Sequence, residues 1–197
     1  YEENMLNQFD LENRGLDPVP VVHNLFNGEI ERLIEMDYDI IAIGQCENGR
    51  SFKQLESAVN RIHGADRKTH LFGVTEYEIL RDLPVWSCDS SSWAQYVQYG
   101  QVMWWNDDNE DWSPWDVLYF PKLQEEHDPT KGKNYFDYAF KDDFDAYIWN
   151  NLRLTVDDLL GVHKVLNRSL VNIYFYKEME MRLTAHHQDV KGFIFPD

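Results

Sequence analysis

Cysteine is nearly missing from this sequence: 197 residues contain two, Cys46 and Cys88, with no Cys-x-x-Cys pair. That argues against a disulfide-stapled scaffold and a cysteine-built zinc site, and predicts a reducing, cytoplasmic compartment. Long apolar runs are missing as well. No stretch approaches the roughly 20 apolar residues of a membrane-spanning helix, and the N-terminus lacks the basic, apolar and small-residue succession of a secretory signal. Basic residues are the third shortage: 18 Lys+Arg face 35 Asp+Glu, a net charge of −17. The deficit is even, with 8 bases and 17 acids in residues 1–100 and 10 and 18 in the remainder. A chain with no basic half is poorly equipped to neutralise phosphates, which weakens any reading in which it alone grips a nucleic-acid backbone.

What is present is globular: 43% hydrophobic, 15% aromatic and 27% charged residues. The sequence opens at Tyr1, without an initiator methionine, inside an expected helix carrying Met5, Leu6 and Phe9, as if it were part of a longer protein. Short β-branched runs then alternate with amphipathic segments. Val19 to His23 is followed by a turn and by apolar residues at helical spacing from Glu29 to Met36. Ile40 to Gly44 precedes a helix whose Phe52, Leu55, Val59 and Ile62 share a face. Thr69 to Gly73 and Val85 to Asp89 begin two further units, with helices expected over 76–83 and 90–99.

Strands alternating with helices predict a parallel sheet covered by helices. No Gly-x-Gly-x-x-Gly follows any of the four strands, so a closed (β/α)8 barrel is favoured over a dinucleotide-binding fold. A barrel takes about 250 residues, so the four units form its C-terminal half and the rest would precede Tyr1. Residues 1–105 are assigned to that half-barrel. Residues 106–197 are assigned to an acidic, aromatic-rich β insertion followed by a helical C-terminal cap, with Val171 to Tyr176 ambiguous between helix and strand. Barrel chemistry sits where strands end, which makes His23, Gly44, Gly73 and Asp89 candidate site residues.

These residues carry a resemblance. The Gly44 strand, His70-Leu-Phe-Gly-Val-Thr75, Ser87-Cys-Asp-Ser-Ser-Ser-Trp93 and Gly100 resemble the C-terminal half of the tRNA-guanine transglycosylase barrel, and more closely its phage-borne relatives linked to 7-deazaguanine modification. The likeness spans roughly Leu16 to Trp105. In that family an Asp-Cys segment supplies the nucleophilic aspartate, with a glycine eleven residues on; Asp89 and Gly100 have this separation. The chain departs from the pattern in three ways. His23 stands where the family has a base-binding glutamine, the three-cysteine, one-histidine zinc site is missing, and the second essential aspartate lies on a strand this sequence does not contain.

The resemblance implies exchange of guanine in tRNA or DNA for a 7-deazaguanine such as preQ0, in the host cytoplasm if the protein is phage-encoded, with the missing zinc module tilting the choice toward phage DNA. A carboxylate would hold C1′ as a covalent ester while one base leaves and another enters, and Asp89 is that carboxylate. His23, the backbone at Gly44 and Gln45, space at Gly73 and an aromatic face such as Trp93 would receive the base. No cofactor or metal is expected. A partner subunit or a missing N-terminal segment would supply the basic surface and the acid/base group.

Each residue has a plainer reading. Asp89 before three serines also looks like a helix N-cap. Gly44 and Gly73 also fit ordinary turns, His23 a structural histidine, and the tryptophans core packing. His186-His187 reads as surface and the acidic run from Asp107 to Asp111 as a solvated loop. Two other functions compete. One is a glycoside hydrolase, which needs a second strand-end carboxylate near Asp89. The other is a non-catalytic binding or assembly module derived from the barrel.

Overall fold

The computed structural model describes residues 2–44, 51–109, 113–121 and 128–196. They form a mixed α/β protein of two compact units, residues 1–90 with 183–197, and residues 91–182.

In the first unit α1 (Glu2–Asn13) precedes a four-stranded sheet of β1 (Val21–Val22), β2 (Ile40–Ile43), β3 (Lys68–Phe72) and β4 (Ser87–Asp89). All pairs are parallel and the strands lie in sequence order, with β1 and β4 at the edges. Helices α2 (Glu29–Glu35), α3 (Phe52–Gly64) and α4 (Tyr77–Asp82) make the crossovers. α3 shows why the alternation is readable. Ser51 and Gln54 close a capping box at its N-terminus, and Leu55, Ala58, Val59 and Ile62, at helical spacing, are all buried. Ile41, Ile43 and Leu71 alternate onto one sheet face and are fully buried. The opposite face at the β3–β4 side carries His70, Phe72, Ser87 and Asp89, because the register pairs His70 with Ser87 and Phe72 with Asp89.

The second unit begins with α5 (Ser92–Gln98) and a three-stranded sheet of β5 (Gln101–Trp105), β6 (Trp115–Tyr119) and β7 (Lys133–Asn134). β5 is buried at every position. β6 stops before Pro121, which cannot donate to a ladder. Helices α6 (Lys141–Leu152), α7 (Val156–Leu160) and most of α8 (Lys164–His186) complete it. Trp104, Phe120, Tyr135, Tyr138 and Phe144 form an aromatic core with Val102, Leu118, Ile148, Leu159 and Val171. The ambiguous stretch Val171 to Tyr176 is helical: Val171, Asn172, Phe175 and Met179 are buried, while Ile173, which a strand would place on the same face as Val171 and Phe175, is exposed.

The surface reading of His186-His187 is corrected. His187 is buried, its Nε2 lies 2.7 Å from the Leu80 carbonyl oxygen, and its ring packs edge-on to Phe193. A π turn over His187–Lys191 follows, and the Phe193 N–H donates to the His187 carbonyl at 3.1 Å. In the acidic run, Asp107 is engaged by Arg182 through two hydrogen bonds, while Glu110 and Asp111 lie outside the described residues. Among the described residues no helix is long and apolar enough to cross a membrane.

Candidate active site

Asp89 ends β4 with its side chain 61% exposed. It is not a helix cap: the N-cap of α5 is Ser91, and the Asp89 carboxylate turns instead toward β3. Its Oδ1 accepts the Gly73 N–H at 3.1 Å. Gly73 follows β3 at a φ of +64°, a left-handed conformation that strains any residue with a Cβ, and this turn aims the amide at Asp89.

A residue the sequence reading passed over completes the group. His70, 21% exposed, places Nε2 3.6 Å from the same Oδ1 and Nδ1 2.8 Å from Ser87 Oγ. Phe72 meets the His70 ring edge-on at 4.6 Å between centroids and lies opposite Asp89 in the register. Period-two alternation on two strands was the signal that could have found His70, but only with the strand register known.

The other candidates do not join this cluster. His23 follows β1, three strand spacings or roughly 14 Å of flat sheet from β4. Its exposed ring lies 3.2 Å from Asn4 Nδ2. Its backbone is held by Glu29, a buried carboxylate that accepts from His23 N at 2.8 Å, Asn24 N at 3.2 Å and Asn27 Nδ2 at 2.8 Å. Burial pushes the Glu29 carboxyl up, but these hydrogen bonds outweigh it and hold the group below the ordinary glutamate value. Glu29 is thereby committed to the loop and does not stand as a second carboxylate beside Asp89.

Gly44 follows β2, where a Cβ would come within 3.0 Å of Val21 Cγ1; close packing against β1 accounts for the glycine. Gln45 lies outside the described residues. Trp93 is in α5 of the second unit, exposed, its carbonyl accepting from Asn172 Nδ2 at 3.1 Å. Gly100 ends the turn after α5 at a φ of +78°.

Ser87, His70 and Asp89 are the residue types of a hydrolase triad, but their exposures run the other way. A triad buries its carboxylate behind the histidine and presents the hydroxyl. Here Ser87 is the half-buried partner and the carboxylate is outermost. The arrangement therefore presents an exposed carboxylate backed by an imidazole and a hydroxyl. Among the described residues no group of three or more His, Cys, Asp or Glu is placed to hold a metal ion. No protein-family model, curated protein or solved structure matches this chain.

Proposed function

We propose that this chain is the C-terminal half of a (β/α)8-barrel, transglycosylase-like enzyme that replaces guanine in a polynucleotide with a 7-deazaguanine. The observation that carries the reading is the exposed Asp89 carboxylate at the C-terminal end of a parallel strand, held by the Gly73 amide. Sequential parallel order of four strands is the order a barrel requires and not that of a doubly wound sheet. In this reading an Asp89 oxygen attacks C1′ as the C1′–N9 bond breaks, and the leaving guanine takes a proton from an acid group. The incoming base then loses its N9 proton and displaces the carboxylate, restoring Asp89. Phe72, opposite Asp89, gives the reacting sugar or base an apolar flank.

The remaining barrel strands, the acid group and a basic face for the polynucleotide would come from a further segment of the protein or from a partner subunit. The test is incorporation of labelled guanine and preQ0 into tRNA and into duplex DNA by the full-length gene product, beside Asp89→Asn. Label entering one polymer, and lost in the variant, is the expected result. No incorporation from a folded protein overturns base exchange. It would favour a non-catalytic barrel-derived module, the second reading that the −17 charge supports.

A further inference from the structure

We infer that His70 is the positioning residue of this site, fixed in one tautomer by Ser87 and holding the Asp89 carboxylate so that Oδ2 faces the ligand. The inference rests on Asp89 being the reactive group. Both contacts to the carboxylate, the Gly73 N–H and His70 Nε2, fall on Oδ1, and among the described residues no donor lies at hydrogen-bond distance from Oδ2. Two anchors on one oxygen fix the plane of the carboxyl and leave the other oxygen directed outward, the geometry an attacking carboxylate needs.

The tautomer follows from Ser87. A hydroxyl that donates to Nδ1 leaves the ring proton on Nε2, where it points at an anion. The reverse tautomer would set an imidazole lone pair against the carboxylate at 3.6 Å, a repulsive arrangement. His70 is itself steered from both sides, by Ser87 on β4 and by the Phe72 ring. The other charged group on this face of β3 is Lys68, whose ammonium lies over the Trp86 ring at 5.4 Å from its centroid, and β2 contributes the uncharged Ile40 and Ala42. Asp89 is therefore the anion that His70 answers to.

The experiment is a long-range proton–nitrogen NMR spectrum of the full chain labelled at histidine, with His70→Gln used to assign the signal. The expected spectrum shows the Nε2–H tautomer, mixed tautomers in Ser87→Ala, and a displaced Nε2 signal in Asp89→Asn. An Nδ1–H tautomer in the unaltered protein, or an Nε2 signal that Asp89→Asn leaves in place, overturns the inference. These signals need no turnover, so they are read even where base exchange fails. Where exchange is found, His70→Gln, which keeps a donor near the Nε2 position, should retain most of the activity that His70→Leu loses.

Discussion

The chemistry of single residues here depends on which partner holds them. Gly73 is held by conformation, and Gly73→Ala should cost about 1 kcal/mol, because its φ of +64° is open to alanine only with strain. Thermal unfolding would show the lowered midpoint. Asp116 is held by chemistry. It is 2% exposed, yet it accepts from Tyr138 OH, from Asn106 Nδ2 at 2.8 Å and from Asn109 Nδ2 at 3.0 Å, and it pairs with Lys133 Nζ at 2.6 Å. Burial and the adjacent carboxylate both push the Tyr138 hydroxyl well above the ordinary tyrosine value, so it stays a donor. Asp116→Leu strands these donors and should destabilise by about 3 kcal/mol or more in urea unfolding, with Asp116→Asn falling between.

At the scale of elements, polar side chains manage strand edges and helix ends. Asn172 of α8 is fully buried, accepts the Met103 N–H at 2.9 Å and donates to the Trp93 carbonyl, closing the side of β5 that β6 does not cover. Asn172→Leu leaves that amide unpaired and should cost about 1–3 kcal/mol by chemical denaturation. The C-terminal segment is tied to α4 by His187 at the Leu80 carbonyl and by Lys191, 3.0 Å from Asp82. Burial lowers the His187 pKa below its ordinary 6.5, so in this range the unfolded chain binds the proton more readily and stability falls as pH drops below about 6.5. The Arg81 hydrogen bond, with Lys191 beside it, lowers Asp82 to about 2. That contribution persists above the ordinary carboxylate value and is lost only as pH falls toward 2. Amide protection factors over 187–195 should therefore drop between pH 7 and 5, before the acid limb that belongs to Asp82.

For the whole molecule the −17 charge is the governing property. Self-repulsion weakens as salt is added, since the screening length falls from about 30 Å at 0.01 M to about 8 Å at 0.15 M. The unfolding midpoint should rise across that range. A midpoint unmoved by salt would mean that the acids are locally compensated, as Asp107 is by Arg182 and Asp82 by Arg81 and Lys191.

Period and punctuation in the sequence determined the elements. Apolar spacing marked α3, and β-branched runs marked β2 and β3, because these signals are local and repeat within a few residues. Asp89 was legible as a strand-end carboxylate for the same reason. Whether it capped a helix or faced a neighbouring strand was not, since both readings share one local sequence. Only the pairing of β3 with β4 decided that, and the same register brought His70 and Ser87 to it. Likewise, burial of His187 and the fully satisfied Asp116 came from segments distant in the chain, which no periodicity records. Tertiary structure alone chose the partners, because a hydrogen bond between residues far apart in sequence leaves no local pattern to read.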